Sequence, residues 1–472
     1  MTKARHPLLR EPHPPQRIRM HPQAHWFVVA SVSVGAFMGQ LDASIVTLAT
    51  PAIQHAFGAT LGQASWVALA YLVVLVSAVV PIGHLADVVG RKTVYVYGFA
   101  LFTLASAACA FAPNLGLLVA GRALQGVGAA MLQANSVALI RLAMPSGKVG
   151  RGIGMQAVAQ AVGLALGPSA GGILVHLAGW RSVFLVNLPA GVIGIAAGLL
   201  LLPASKDLRE RHSWDIAGVG MLALGSTATL LALTAVEHGA LASPGVLIPA
   251  LLALAAWGGL AAHSLRRQRA QAEPLLPLDL LGLAHFRQAL LAGLLSYLVL
   301  FGLLFITPFT LERSLAWNPS QAGLMLSLLP VSIAVVTPFA GRLADAHGPR
   351  LPTTVGMALV TTGCLVAAVA PAVPAPLTVA LILLGAGSGM FTPANNAAIM
   401  LLAPSARAGV AGGLLNMTRA FGTALGVAVV TIGYSLAGAG ITGSRTAMIA
   451  LAVLAALGVM VSRAATSVPA LD

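Results

Sequence analysis

The sequence predicts an all-α polytopic membrane protein: two six-helix bundles with an inserted helix pair between them. Three observations carry that expectation. They are a series of long apolar runs, a charge content too low to cover a water-facing surface, and an internal repeat. Of 472 residues, 58% are hydrophobic and only 8% charged, where a soluble domain carries about 25% charged residues. The 51 Gly and 28 Pro fit the same class, since both are more frequent in membrane helices than in soluble ones.

A membrane helix needs roughly 20 mostly apolar residues. About fourteen such runs are present, beginning near Trp26, Ser65, Thr93, Asn114, Gly152, Ser182, Asp215, Ser243, Phe286, Ser320, Leu351, Pro376, Arg407 and Arg445. The first follows a basic tail rich in Pro and His, and as a full span it is too long for the core of a signal peptide. The seventh and eighth runs are the weakest, and the Gly-rich stretch Leu383 to Met390 leaves its helicity open. On this reading residues 1–25 form a basic tail and 26–203 a first six-helix bundle. Residues 204–285 are a linker with two additional spans, 286–464 a second six-helix bundle, and 465–472 a closing tail.

The basic residues orient the spans. With the N-terminus in the cytoplasm and sides alternating, the inner segments hold 21 of the 26 Lys and Arg. The outer loops hold only Arg181, Arg313 and Arg445, while Arg122 and Arg419 lie within spans. This is the positive-inside pattern. It accounts for the net charge of +14 without nucleic acid, and an even span count puts both termini on the cytoplasmic side of a plasma (inner) membrane.

The repeat is read from three matched segments. Gly83-His-Leu-Ala-Asp87-Val-Val-Gly90 matches Gly341-Arg-Leu-Ala-Asp345-Ala-His-Gly348. Gly126-Val-Gly-Ala-Ala-Met131 matches Gly385-Ala-Gly-Ser-Gly-Met390, and Ala161-Val-Gly163-Leu-Ala-Leu-Gly167 matches Ala420-Phe-Gly422-Thr-Ala-Leu-Gly426. All three share an offset of 258 or 259 residues and the same place in the span order. Spans 1–6 and 9–14 are therefore expected to be parallel halves, with spans 7 and 8 inserted. Parallel halves around a midplane cavity suit alternating access by rocking; a duplicated receptor or scaffold is the alternative.

These residues resemble a known family. Gly83-His-Leu-Ala-Asp87-Val-Val-Gly90-Arg91-Lys92 resembles the signature loop between spans 2 and 3 of the major facilitator superfamily. Leu118-Val-Ala-Gly-Arg122-Ala-Leu-Gln125-Gly126-Val-Gly128 resembles its span-4 motif. Gly163-Leu-Ala-Leu-Gly167-Pro168-Ser-Ala-Gly171-Gly172 resembles the antiporter motif of its drug:proton exporters. Leu41-Asp42-Ala-Ser44-Ile-Val-Thr47-Leu-Ala-Thr50-Pro51 resembles the span-1 motif of the fourteen-span drug:proton antiporters of the EmrB/QacA type. Span 1 departs from that pattern, with Ser44 for the common Thr, Thr47 for Asn and Thr50 for Leu. The resemblance implies a major facilitator fold and proton-coupled export of small amphipathic compounds, that is, multidrug efflux. A dedicated exporter of one endogenous metabolite and a non-transporting membrane sensor are the alternatives.

Asp42 is the carboxylate deepest within any span. A charge at membrane depth costs at least ~2.5 kcal/mol, which makes it a functional candidate by default. Burial raises a carboxylate's pKa and a nearby cation lowers it, so a site whose surroundings change between two states can bind a proton on one side and release it on the other. The alternative is a carboxylate paired only for packing. Gly35, Gly39 and Asp42 share one face of span 1, where a partner helix is expected to come close. The resemblance gives Arg122 a part in proton coupling; an Arg keeps its own proton, so it would act on the carboxylate or on ordered water. The alternative is a structural bond to backbone carbonyls.

Gly163, Gly167 and Gly171 recur every four residues, a stripe that lets another backbone pack closely. Pro168 and Gly172 complete the antiporter motif, to which the resemblance assigns control of leak and gate closure. Gly83, Asp87, Gly90, Arg91 and Lys92, with Asp345 in the second half, are the candidate cytoplasmic gate. Gln125, Gln133, Asn135, Gln160, Asn395, Asn396, Asn416 and Arg419 are the candidate cavity lining. For Asn135, Gln160, Asn395 and Asn396 interhelical bonding is equally open, and for Arg419 an ion pair with Asp42 across the halves and a helix–helix anchor are also open. No G-x-x-x-x-G-K-[ST] loop, HExxH or CxxC is present, and Cys109 and Cys364 both sit in apolar stretches. No metal, cofactor or enzymatic chemistry is expected, and the energy source is expected to be a proton gradient. The expected partners are lipid, protons and amphipathic small molecules, with the chain acting as a monomer.

Overall fold

Away from water a backbone must satisfy its own polar groups, and a helix does so within each apolar run. The computed structural model describes residues 11, 14–145, 149–204, 215–236, 243–270, 272, 274–275, 278–369, 371–403, 408–438 and 440–465. Among these, no strand is present and fourteen helices are long and apolar enough to cross a membrane. In the first half they are α1 (Ala24–Phe57), α2 (Leu61–Val89), α3 (Arg91–Ala110), α4 (Leu115–Ala143), α5 (Val149–Ala178) and α6, in two pieces (Ser182–Leu185 and Asn187–Leu201). The inserted pair is α7 (Ile216–Ala235) and α8 (Pro244–Arg269). The second half holds α9 (Ala284–Leu315), α10 in two pieces (Pro319–Leu326 and Leu328–His347), α11 (Arg350–Val369), α12 (Pro374–Leu402), α13 (Ala408–Leu436) and α14 (Ile441–Ala465).

Caps explain the starts that sit furthest from the apolar runs. A reciprocal box between Thr60 and Gln63 opens α2 at Leu61, satisfying helix-end donors that would otherwise be orphaned. Gly440, at φ +90°, releases the chain into α14. The remaining short helices, Gln16–Arg19 and Leu278–Gly282, precede α1 and α9.

The halves pack alike. In the first, α1 lies on α4, α5 and α6, α3 on α4 and α6, and α2 on α4; in the second, α9 lies on α12, α13 and α14, α11 on α12 and α14, and α10 on α12. The repeat extends to single atoms. A Cβ on Gly126 would strike the Tyr71 carbonyl, and one on Gly385 the Leu329 carbonyl. Gly163 backs in the same way onto the Phe37 carbonyl, and Gly422 onto that of Leu294. The stretch Leu383 to Met390 is helical because Gly385, Gly387 and Gly389 each admit a neighbouring backbone, from Leu329, Gly356 and Ile333 respectively; the packing outweighs the intrinsic cost of glycine in a helix.

The inserted α7 packs on α8 and also touches α2 and α13, one helix of each half. Asp215 fixes its start. Burial alone would raise this carboxyl's pKa, but hydrogen bonds from the Gly218 N–H (2.9 Å), His263 (2.6 Å) and the Leu275 N–H (3.1 Å) hold it below the usual range. A lowered folded-state pKa gives stability that is present above the unfolded value of about 3.9 and lost as pH falls through the folded one. Asp215→Ala is therefore expected to cost stability throughout the neutral range, about 1.5–3 kcal/mol for hydrogen bonds to a charged group, read as a lower thermal midpoint in detergent. An unchanged midpoint would show the anchor to be idle.

The two halves close on each other at the end away from the termini. Arg313 donates to the Gln54 side chain (3.0 Å) and the Ser169 and Ser327 hydroxyls bond at 2.5 Å. Gly172 lies against the Pro319 backbone, and Gly323 against that of Pro168.

Candidate functional site

Charge is scarce in this chain, and the structure brings two charges together inside the first half. Asp42 is fully buried and Arg122 1% exposed, with Arg122 Nη1 2.7 Å from Asp42 Oδ2. The carboxylate's other oxygen accepts from Gln125 Nε2 (2.9 Å) and Asn187 Nδ2 (2.8 Å). Gln125 also donates to Ser106 Oγ (2.8 Å) and accepts from Arg122 (2.6 Å). Arg122 Nε donates to the Val67 carbonyl of α2 (2.8 Å), and its guanidinium lies 4.4 Å from the Tyr71 ring centre. Asp42 on α1, Val67 and Tyr71 on α2, Ser106 on α3, Arg122 and Gln125 on α4 and Asn187 on α6 thus converge on one carboxylate.

The local sequence keeps competitors away. Ser44 bonds the Gln40 and Leu41 carbonyls, Thr47 that of Ser44, and Thr50 that of Val46. Hydroxyls satisfied within their own helix leave Asp42 to the other helices. The three departures from the span-1 motif are these same side chains, and all three are buried.

Several candidate residues fall elsewhere than expected. Gln125 belongs to the carboxylate cluster rather than to a cavity wall. Asn135 and Asn395 are buried and donate to backbone, Asn135 to Met131 of its own helix and Asn395 to Ala289 of α9. Gln133, Gln160, Asn396, Asn416 and Arg419 are half-buried. Arg419 makes no pair with Asp42, whose partners are already in place; its guanidinium lies 5.2 Å from the Tyr297 ring. Gly35 admits the Tyr95 hydroxyl and Phe99 rather than a helix backbone, and Gly39 faces open space. The close helix is α5, on the next face of α1: Gly163, Gly167 and Gly171 meet Phe37, Ser44 and Ile45.

At the candidate gate, Gly90 ends α2 at φ +122° and Gly83 lies 3.9 Å from the Ala134 side chain, as measured from the position its Cβ would take. Lys92 is buried and donates to the Leu199 and Leu202 carbonyls (2.7 and 2.8 Å), closing the C-terminus of α6 within its own half. Arg91, which begins α3, is half-buried. The side chains of Asp87 and Asp345 lie outside the described residues. Asn187 and Ser106 escaped the sequence reading. Asn187 is a lone amide in the apolar run Val183 to Leu201, and that isolation was the available signal; Ser106 carries none.

Among the described residues the site has no counterpart in the second half. The repeat places Val299 at the position of Asp42, Leu381 at that of Arg122, Leu384 at that of Gln125 and Cys364 at that of Ser106, all fully buried or nearly so. The same packing is therefore reached without the charges.

Residues 32–284 and 289–470 match the family model of the Major Facilitator Superfamily. The chain belongs to that superfamily. It is 31% identical to the riboflavin transporter RibZ of Clostridioides difficile (strain 630), across 85% of this chain and 87% of that one. It is 32% identical to the multidrug resistance protein Stp of Mycobacterium tuberculosis (strain ATCC 25618 / H37Rv), across 85% and 74%. Among solved structures, the POT family transporter PepTSo superposes with a TM-score of 0.68 at 13% identity, covering 94% of this chain and 98% of that one, a likeness of fold. This major facilitator protein is a multi-pass membrane transporter of small molecules, not an enzyme.

Proposed function

We propose that this transporter exports small amphipathic compounds in exchange for protons, from a plasma (inner) membrane with both termini in the cytoplasm. The observation that carries the reading is the convergence on Asp42. Each neighbour bonded to its oxygens is a donor: Arg122, Gln125 and Asn187. An ionised carboxylate only accepts, whereas a protonated one must also donate. A proton on Asp42 therefore discharges the ion pair and sets donor against donor, and the cluster must rearrange to relieve it, by rotation of an amide such as Asn187, whose oxygen is unpartnered, or by movement of the converging helices. That gives proton binding leverage over α1, α4 and α6 directly, and over α2 and α3 through Arg122 and Gln125.

The glycine contacts of α5 pass that shift on. Gly167 rests on Ser44, two residues from Asp42, while Gly172 and Pro168 on the same helix meet α10 of the other half. Movement of α1 thus reaches the seam between halves through one close-packed helix, which suits rocking about a central cavity. With the positive-inside orientation the end closed here is the outer one. The candidate gate around Asp87, Arg91 and Asp345 would close the opposite end.

The test is purified protein in vesicles with an imposed pH gradient and a panel of cationic, neutral and anionic amphipathic compounds. Substrate movement is expected to drive proton flux in the opposite direction and to stop when a protonophore collapses the gradient. Transport indifferent to the gradient would sink the coupling. RibZ is named for a single compound, which favours a second reading, a dedicated exporter; uptake of one panel member to the exclusion of the rest would select it.

A further inference from the structure

We infer that Arg419 is a recognition site for an anionic group, a carboxylate, sulfonate or phosphate, on the transported amphiphile. This deepens the exporter reading by naming a substrate class and rests on it only for the word transported. The two arginines within spans differ in one decisive respect. Arg122 is matched by Asp42, Gln125, the Val67 carbonyl and the rings of Tyr71 and Phe184. Arg419 lies over Tyr297, its Nε is buried with no hydrogen-bond partner, and among the described residues no carboxylate meets it. An Arg is charged at any accessible pH, and a charge at membrane depth is held for a partner or a function. Arg419 stands eleven residues into the 29-residue α13, about 16 Å along it, near mid-span.

The direction it faces follows from its neighbours. Phe421, two residues on, packs against Trp257 of the inserted α8 at the periphery (ring centres 5.7 Å apart). Two residues turn a helix by about 200°, so Arg419 points away from the periphery, towards the interior between the halves. The repeat agrees. Gly163 on Phe37 corresponds to Gly422 on Leu294, which pairs Arg419 with Gln160 and Tyr297 with Gln40. All four are half-buried. The first half offers two amides at this level, and the second offers an uncompensated cation backed by an aromatic face. Tyr297 holds one face of the guanidinium, and the planar edge of a guanidinium donates to two oxygens of one anionic group side by side. Asn416, one turn before Arg419, is half-buried on the same face and supplies a further donor.

The experiment uses the full chain in phosphatidylcholine nanodiscs. Probes are 1-pyrenebutyrate, its methyl ester and the matching pyrenylbutyl-trimethylammonium, and binding is read by energy transfer from tryptophan. Wild type is expected to bind the carboxylate about tenfold tighter than the ester, and the ester tighter than the cation. Arg419→Gln should bring carboxylate and ester to equal affinity without weakening the ester. Arg419→Lys should keep part of the preference, since the charge stays and the fork is lost, and its thermal midpoint guards against a folding defect. Loss of the wild-type preference in nanodiscs containing phosphatidylglycerol would support the anion site with a lipid phosphate as its occupant. Equal wild-type affinity for carboxylate and ester, or an undiminished preference in Arg419→Gln, overturns the assignment. Asp42→Asn should leave the preference intact, so failure of proton coupling and failure of this site are read separately.

Discussion

Asp42→Asn is expected to abolish substrate-linked proton flux, and Arg122→Leu alone to yield a poorly folded protein, whereas Asp42→Val with Arg122→Leu should fold and still show no coupling. The three variants differ in what each leaves behind. Arg122→Leu strands the buried Asp42 charge, which costs about 3–5 kcal/mol, a large share of a typical folding free energy, whereas Asp42→Asn keeps an oxygen to accept from Arg122, which also bonds the Val67 carbonyl and Gln125. Removing both and filling the space with apolar groups is often neutral or stabilising. The second half already carries out that experiment. Val299 and Leu381 stand at the equivalent positions, fully buried, in the same helix packing. Packing therefore does not require the charges, and their presence in one half only points to work other than stability. The measurements are monodispersity and thermal midpoint in detergent for the three variants, beside proton flux in vesicles. A double variant that still couples substrate to protons would remove Asp42 from the mechanism. One that cannot fold would make the pair structural.

Most of the fold was legible because a membrane reduces secondary structure to a question of length and polarity. The starts of the fourteen helices lie within four residues of the apolar runs that predicted them. The repeat was legible for a related reason. Gly126 and Gly385, or Gly163 and Gly422, each have a neighbouring backbone where a Cβ would sit, and a position that admits only glycine is preserved in spelling. The carboxylate cluster was half legible. Charges at depth announce themselves, so Asp42 and Arg122 stood out. Asn187 and Ser106 did not, because a single amide or hydroxyl in an apolar run is common and takes its meaning from the atom opposite. The placing of Gln125 on a cavity wall failed on the same point, and for Asn135 and Asn395 the sequence left cavity lining and interhelical bonding equally open for that reason. A polar stripe on a helix shows that a face is polar, not whether another helix or a solvent-filled space lies against it. Lys92 shows the same limit at a helix end, where its neighbour is the last turn of α6, far away in sequence.

The second large effect is expected at Gly172. The glycines of the α5 motif fall into two groups, the three that recur every four residues and Gly172, which stands outside that repeat. Gly163, Gly167 and Gly171 meet α1, inside the first half, whereas Gly172 meets the backbone of Pro319 in the second. Gly167→Val should therefore impair folding, because its Cβ would collide with Ser44 beside the carboxylate cluster. Gly172→Val should leave both halves folded and prevent them from meeting at the closed end. A neighbouring carbonyl cannot rotate aside as a flexible side chain can, and overpacking of this kind costs about 1–3 kcal/mol, enough to shift a two-state balance about tenfold. Gln54→Cys with Arg313→Cys, placed where the native side chains meet at 3.0 Å, reports closure by the yield of a cross-link. That yield should fall about tenfold when Gly172→Val is added, with net transport falling alongside it and the thermal midpoint little changed. Full cross-linking and full transport in the Gly172→Val background would show that the halves meet through other contacts and that the span-5 glycines serve packing alone.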